Sequence, residues 1–307
     1  MAEKVSVDVD GHTLQLTNLD KVLYPAAGFT KGEVLDYYSR VAPVLLPHLA
    51  DRPLTVKRYP NGVDGKFFFE KNAARGTPDW VRTVTLPVPG STKNRETIDF
   101  VVVDGLATLV RLANLAALEL HVPQWRVPKR GRPRPDLIVF DLDPGPPATI
   151  AECCEVALLL RDLVAEDGLA LFAKTSGSKG MQVSAPVSVR SQEQPSGYAR
   201  WVAQRLERER PDLIVSRMTK SLRPHKVLVD WSQNNPAKTT VAPYSLRARE
   251  EPTVSTPLTW DEVAAGTGLR FTAEDVLARI ADHGDLFAPT LDDRSRATIT
   301  EAMATRE

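Results

Sequence analysis

Two aspartates one residue apart close an apolar run, Val139-Phe140-Asp141-Leu142-Asp143-Pro144-Gly145. On a strand, alternate side chains share a face, so Asp141 and Asp143 point one way and Leu142 points to the core. Carboxylates that close repel unless a cation sits between them. Magnesium or manganese, hard ions that take oxygen ligands, suit the pair. A second apolar run, Val227-Leu228-Val229-Asp230-Trp231, ends in a third acid. Three carboxylates complete a site for two metal ions, one activating an attacking hydroxyl and the other neutralising a leaving pyrophosphate. Taken singly, each acid also fits a solvated strand end.

Between two apolar runs lies Thr175-Ser176-Gly177-Ser178-Lys179-Gly180. Glycines let backbone N–H groups turn toward an anion, and Ser and Lys add donors, so the loop suits a triphosphate. It is not a Walker A loop, because the spacing differs and a strand is expected to follow. Basic residues recur beside aromatic ones: Lys57 and Arg58 precede Tyr59, Arg223 precedes the Asp230 run, and Arg247 follows Tyr244. The run Phe67-Phe68-Phe69 reads mainly as core. Strand alternation nevertheless turns at least one ring outward, where it could stack on a base. The five histidines show no metal-ligand spacing, and His121 reads as a structural residue at a helix end.

These groups need elements to position them. Val5 to Leu16 alternates around Asp10-Gly11, a hairpin pattern. Thr30-Lys31-Gly32-Glu33 has capping-box form and opens a helix to about His48, beginning close to Lys21 and Lys31. Strands are expected at Leu54–Arg58, Leu137–Leu142, Leu169–Lys174, Met181–Ala185 and Lys226–Asp230. Helices are expected at Leu106–Glu119, Thr149–Ala165, Tyr198–Glu209 and Glu274–Asp282. The interspersed order without regular alternation predicts an α+β fold with a mixed or antiparallel central sheet flanked by helices. The acids and the glycine loop must share a core, so residues 1–290 read as one two-lobed catalytic domain and 291–307 as a C-terminal tail.

The chain has 307 residues, 42% of them hydrophobic, enough for a substantial core. Its 39 basic and 39 acidic residues balance, which argues against a non-specific nucleic-acid coat but not against a local basic track. One such track, His121 to Pro135, is proline-rich and free of acids. The longest apolar stretch, Leu106 to Leu120, is interrupted by Arg111, Asn114 and Glu119, whereas a membrane span needs about 20 apolar residues. Adjacent Cys153 and Cys154 read as packing residues. With no apolar N-terminal stretch of the kind a secretory signal requires, and with cysteines that read as packing residues, a cytoplasmic location is expected.

Several segments together resemble the polymerase domain of bacterial ligase D, of the archaeo-eukaryotic primase superfamily. Even more they resemble its stand-alone actinobacterial relatives, the prim-polymerases associated with ligase C. The segments are Asn-Leu-Asp-Lys-Val-Leu-Tyr-Pro (18–25), Lys-Arg-Tyr-Pro-Asn-Gly-Val (57–63), Phe-Phe-Glu-Lys (68–71) and Glu-Leu-His-Val-Pro-Gln-Trp (119–125). Phe-Asp-Leu-Asp-Pro-Gly (140–145), Thr-Ser-Gly-Ser-Lys-Gly (175–180), Val-Asp-Trp-Ser-Gln-Asn (229–234) and Ala-Pro-Tyr-Ser-Leu-Arg (242–247) complete the set. The resemblance implies a primase-like fold and template-directed nucleotide addition, with a preference for ribonucleotides and for manganese over magnesium, two ions per site. It assigns Asp141, Asp143 and Asp230 to the metals, and Ser176, Lys179, His121 and Arg247 to the triphosphate. Phe69 and Lys57 would sandwich the base, with Arg223 and Gln233 near metal and sugar. Lys21 and Lys31 would grip the 5′-phosphate of a gap or broken end. Arg58, Phe68, Lys93 and Arg95 are candidate DNA contacts.

The resemblance has departures. Ligase D polymerase domains usually carry Leu-His after the Ser-Lys-Gly loop; here the pair is Met181-Gln182, as in the stand-alone relatives. The stretch Pro87 to Thr97 is longer and is expected to touch template or primer. With no ligase or nuclease module in these residues, a separate ligase of the ligase C type, together with Ku, is the expected partner. The alternative is a non-catalytic DNA end-binding module, against which the three acids argue. A haloacid-type phosphatase is disfavoured by Gly145, and a glycosyltransferase by the downstream Val-Asp-Trp.

Overall fold

A computed structural model of the chain describes residues 4–88, 96–131 and 133–306. Strands β1 (Lys4–Val9) and β2 (His12–Thr17) form the expected hairpin. Its turn residues Asp10 and Gly11 sit at φ 49° and 77°, the left-handed pair that a two-residue hairpin turn requires. After β3 (Val22–Tyr24) and β4 (Phe29–Thr30) comes α1 (Lys31–Leu49). Thr30 and Glu33 close its capping box as the sequence predicts. Strands β5 (Thr55–Arg58) and β6 (Phe68–Glu70) precede the hairpin of β7 (Thr83–Pro87) and β8 (Thr97–Val101).

The next segment corrects the sequence reading. The helix expected from Leu106 to Glu119 ends early, as α2 (Leu106–Asn114), and the chain turns at Ala116, φ 57°. It then runs as strand β9 (Ala117–Val122). Periodicity alone cannot separate a buried helix from a buried strand in a continuous apolar run. The decision is made by β5, which pairs with β9 and places Lys57 opposite Glu119 and Thr55 opposite His121. His121 therefore lies on a strand and not at a helix end.

The second half contains β10 (Leu137–Pro144), α3 (Ile150–Ala165), β11 (Phe172–Thr175) and β12 (Met181–Ser188). It continues with α4 (Gln194–Glu209), β13 (Ile214–Val215), β14 (Val227–Asp230), β15 (Thr240–Val241) and β16 (Pro257–Leu258). Helices α5 (Trp260–Ala265) and α6 (Ala273–His283), strand β17 (Ala297–Thr298) and helix α7 (Glu301–Ala304) complete it. Two main sheets result. The smaller is ordered β15-β9-β5-β6, and the larger β13-β14-β10-β12-β11-β16, with β17 added alongside β12. Antiparallel pairings dominate, with β13–β14 and β12–β17 parallel, so the fold is α+β as expected.

Each sheet has its own core. One gathers around Tyr37, Tyr38, Leu45, Leu118 and Leu120, and the other around Phe140, Leu142, Leu160, Met181 and Tyr198. Cys153 and Cys154 are buried in the second, as packing residues. Phe271 touches both cores. Residues beyond 290 are folded onto the second sheet: β17 pairs with β12, and Arg306 reaches Asp167 at 2.6 Å.

A buried ion pair joins the halves. Arg52, which follows α1 and is only 2% exposed, makes a two-pronged contact with Asp136, ahead of β10, at 2.8 Å on both prongs. Arg126 and Arg296 approach the same carboxylate at 3.0 and 3.9 Å. Removing the acid would strand a buried guanidinium. Asp136→Ala is therefore expected to lower the unfolding free energy by about 3–5 kcal/mol, read by urea denaturation. A loss below about 1 kcal/mol, the range of exposed pairs, would show that water reaches Arg52.

Candidate active site

The register of the larger sheet builds the acidic centre. Asp141 of β10 lies directly opposite Asp230 of β14 on one side and Gln182 of β12 on the other. Lys174 of β11 lies opposite Gln182. Directly paired residues share a face, so Lys174, Gln182, Asp141 and Asp230 form one row across four strands. Asp143, two residues along β10, adds a third carboxylate to that face, while Leu142 is fully buried on the other. The sequence-level geometry of the acids is thus what the sheet delivers.

Burial pushes the Asp141 carboxyl up to about 7, the negative charge of Asp143 adds to the shift, and Asp230 contributes further. Asp143 is raised by burial and by Asp230. Asp230 is held more firmly: Ser232 donates to one oxygen through its N–H at 2.9 Å and its hydroxyl at 2.5 Å, and Gln233 Nε2 donates to the other at 2.8 Å. Among the described residues, no three acid, histidine or cysteine side chains form a ready-made ligand set. The donors nonetheless fit a divalent cation in kind. They are all oxygen, they are destabilised by one another's charge, and the Asp143 carboxylate accepts no hydrogen bond among the described residues.

Gln182 has a specific task. Its Nε2 donates to Asp141 Oδ1 at 2.9 Å, and its Oε1 accepts from Lys174 Nζ at 2.6 Å. Lys174 is buried, donates also to Ser255 Oγ at 2.7 Å, and is pushed by burial down to about 7, against the opposing pull of Asp141. A buried ammonium is thereby linked to the acidic centre through one amide. Sequence reasoning missed Lys174, whose signal was a lone lysine in an apolar strand immediately before the glycine loop.

The loop from Thr175 to Gly180 joins β11 and β12 and lies beside the acids. Ser176 Oγ accepts from the N–H groups of Ser178 and Gly180 at 3.2 and 3.3 Å. Gly177 sits at φ 65°, with Arg247 so close that a Cβ would lie 2.7 Å from its Cγ. At Gly180 a Cβ would collide with the Leu142 carbonyl oxygen. Side chains here would push the loop off the acidic strand. Arg247 donates to the Ser176 carbonyl at 2.5 Å. His121, Asp141, Asp143, Ser176, Lys179, Gln182, Gln233 and Arg247 all line one cleft of about 330 Å³, joined by Thr239, Thr240 and Arg249, which the sequence did not single out. Arg223 stands close enough to Asp143 to oppose its upward shift.

The smaller sheet supplies the facing wall. Lys57 and Phe69 are paired residues of β5 and β6, and Phe69 meets His121 edge-on at 6.1 Å. Lys57 Nζ sits 4.0 Å above the Phe67 ring and 5.7 Å from that of Phe69. All three phenylalanines are exposed, by 43–56%, contrary to a core reading; Phe68 and Phe69 lie on β6, the edge strand of its sheet, and Phe67 just precedes it. Arg58 and Phe68 stack on each other at 5.1 Å, one step along from Lys57 and Phe69 and so on the opposite face. Arg58 also pairs with Glu70 at 2.8 Å.

Lys21 and Lys31 come together away from this cleft. Burial and the nearby charge of Lys21 push the Lys31 ammonium down to about 8. Lys31 donates to the Thr17 carbonyl and Lys21 to that of Pro60, and among the described residues neither has an acidic partner. The first amides of α1 are already engaged, Lys31 N with Lys21 O and Gly32 N with Leu19 O, so an anion here would be met by the ammonium groups. Lys93 and Arg95 lie outside the described residues.

With this geometry in place, the comparisons agree. Residues 30–287 match the family model described as LigD, primase-polymerase domain. The chain belongs to that family. It is 46% identical over 277 residues to the multifunctional non-homologous end joining protein LigD of Mycolicibacterium smegmatis, covering 90% of this chain and 36% of the relative. For the Mycobacterium tuberculosis H37Rv LigD the identity is 48%, over 88% of this chain and 36% of the relative. For the Bacillus subtilis bifunctional LigD it is 33%, over 88% and 43%. The chain thus spans about a third of the length of the mycobacterial relatives. The solved polymerase domain of Mycobacterium tuberculosis ligase D in complex with DNA superposes with a TM-score of 0.85 at 46% identity, over 91% of this chain and 98% of that one. As a member of the LigD primase-polymerase family, the chain is a nucleotidyltransferase of the polymerase kind, a generally metal-dependent chemistry.

The raised Asp141 carboxyl fixes the sign of a pH effect. The folded protein binds that proton more tightly than the unfolded chain does, so this group costs stability as pH rises from its ordinary value near 4 through about 7. Asp141→Asn is expected to stabilise the metal-free protein at pH 8 by roughly 1–3 kcal/mol and to change little at pH 4. Urea denaturation in chelator reads both. A variant less stable than its parent at pH 8 would contradict the repulsion.

Proposed function

We propose that this polymerase fills short gaps and extends broken DNA ends on a template, with ribonucleotides preferred, and that primer synthesis lies within its range. The observation that carries the reading is the convergence, in one cleft, of Asp141, Asp143, the Ser176–Lys179 loop, Arg247 and His121, with Asp230 paired directly against Asp141 and Phe69 edge-on to His121. Asp141, Asp143 and Asp230 would hold two divalent ions, manganese or magnesium. When bound, these lower the pKa of the 3′-hydroxyl and neutralise the leaving pyrophosphate.

The remaining roles follow from position. Ser176, Lys179, His121 and Arg247 take the triphosphate, where Lys179 is exposed at the loop tip and Arg247 backs the loop. Phe69 offers the incoming base a ring face, and Lys57 closes over its other side. Gln233, bonded to Asp230, and Arg223, beside Asp143, stand where metal and sugar meet. The Lys21–Lys31 pair, two ammonium groups with no acidic partner among the described residues, takes the 5′-phosphate of the downstream strand. Arg58 and Phe68 present a second aromatic and cationic face for template or primer. Sealing requires a DNA ligase, here of the ligase C type, with Ku at broken ends. The setting is the bacterial cytoplasm, at the nucleoid.

Extension of a labelled primer across a 5′-phosphorylated gap tests the reading, with ribo- and deoxyribonucleotides and with manganese or magnesium. Asp141→Ala is expected to abolish extension and leave gap binding within about threefold, since phosphate contacts dominate DNA affinity. Binding without extension in the parent protein would favour the end-binding module. Lys21→Ala with Lys31→Ala is expected to weaken gap filling about tenfold or more on 5′-phosphorylated DNA, and little on 5′-hydroxyl DNA. Equal loss on both would remove the phosphate pocket.

A further inference from the structure

Three of the cleft's cationic or hydrogen-bonding side chains share one partner that sequence reasoning assigned to no role. Glu119 is 2% exposed and lies on the cleft-facing side of β9. His121, two residues on and therefore on the same face, lies 2.9 Å from Glu119 Oε2 through Nε2. Arg247 Nε stands 3.4 Å from the same oxygen, and Lys57 Nζ stands 3.8 Å from Oε1. The Ala248 N–H donates to Oε1 at 3.2 Å, which ties down the backbone beside Arg247. These groups come from β5, β9 and the segment after β15, so nothing local in sequence fixes their spacing.

The electrostatics suit an organising carboxylate. Burial alone would push Glu119 up. The hydrogen bond from His121, then the charge of Arg247, reverse this and hold the carboxyl down at about 2. It is therefore an anion at any working pH, able only to accept, so the facing His121 nitrogen must be the protonated one. Arg247 Nε is buried and makes no hydrogen bond among the described residues, facing Glu119 by charge proximity, while its terminal nitrogen reaches the Ser176 carbonyl in the loop after β11. Without the anion, Lys57 and Arg247 would face each other and Arg249 as uncompensated cations.

We infer that Glu119 is a positioning residue for the incoming nucleotide: it holds Lys57, His121 and Arg247 at fixed spacing and so sets nucleotide affinity without touching the nucleotide. The inference rests on the nucleotide pocket proposed above. Its signature is a split between kinetic constants. A residue that pre-arranges binding groups alters KM, whereas a residue needed only for folding lowers stability and DNA binding together.

The test uses the whole chain on a gapped DNA with a single nucleoside triphosphate. Glu119→Gln, which keeps the shape and removes the charge, is expected to raise KM for the nucleotide about tenfold, with kcat within about threefold and DNA affinity unchanged. In an Arg247→Ala background the same change is expected to add clearly less than the full tenfold, because part of its effect runs through Arg247 and the rest through Lys57 and His121. Glu119→Asp, which keeps the charge and shortens its reach, is expected to raise KM by a smaller factor and decides the matter if the glutamine variant does not fold. An unchanged KM in the folded variants overturns the inference, as does a full tenfold effect in the Arg247→Ala background. Arg247→Ala by itself separates the two ideas: if it leaves KM unchanged, the pocket reading fails, and if it raises KM while both Glu119 variants do not, only the role of Glu119 fails.

Discussion

Like charges held together by strand pairing are the constraint around which this molecule is arranged. Asp141 and Asp230 are direct partners across β10 and β14, and Asp143 follows on the same face. Strand register cannot slip to relieve the repulsion, because a one-residue shift would turn Leu142 and Val229 outward from the core. The sheet therefore holds an unfavourable arrangement of like charges. Burial, and then the charges of Asp143 and Asp230, push the Asp141 carboxyl up to about 7. Gln182 and Lys174 reduce it from the other side, placing a buried ammonium one amide away.

The second organising charge is opposite in role. Glu119 is a single acid among cations, where the row of Asp141, Asp143 and Asp230 is a cluster of acids. The two centres sit on different sheets, and Arg247 connects them: it faces Glu119 of the smaller sheet and bonds to the Ser176 carbonyl of the larger. The cleft is thereby bounded by two rigid strand surfaces, and a precise constellation is easier to hold on strands than on loops. The glycine loop is the exception, and it is pinned by contact, since Gly177 and Gly180 admit Arg247 and the Leu142 carbonyl where no side chain would fit.

The edge strand β6 gives the cleft its aromatic wall. Being last in the sheet, it leaves Phe67 and Phe69 uncovered beside Lys57, and Phe68 beside Arg58 on the reverse. Exposed large aromatics next to cations mark a surface that stacks on flat ligands. The same strand thus serves both faces of the smaller sheet, with Phe69 toward His121 of the acidic cleft and Phe68 on the reverse.

Much of this was legible in sequence. Period-two alternation placed Asp141 and Asp143 on one face, the capping box fixed the start of α1, and the glycine spacing located the loop between two strands. These are local properties, set by backbone geometry within a few residues. What tertiary structure decided was pairing. Whether 106–119 was one helix or a helix and a strand depended on β5 lying alongside, and only the strand turns Glu119 and His121 to the same side. The Lys174–Gln182–Asp141–Asp230 row and the approach of Arg247 to Glu119 join residues far apart in the chain. A chain's local pattern says which face a side chain takes, but the partner across a sheet is chosen by the packing of the whole domain, and the chemistry of this cleft resides in those partners.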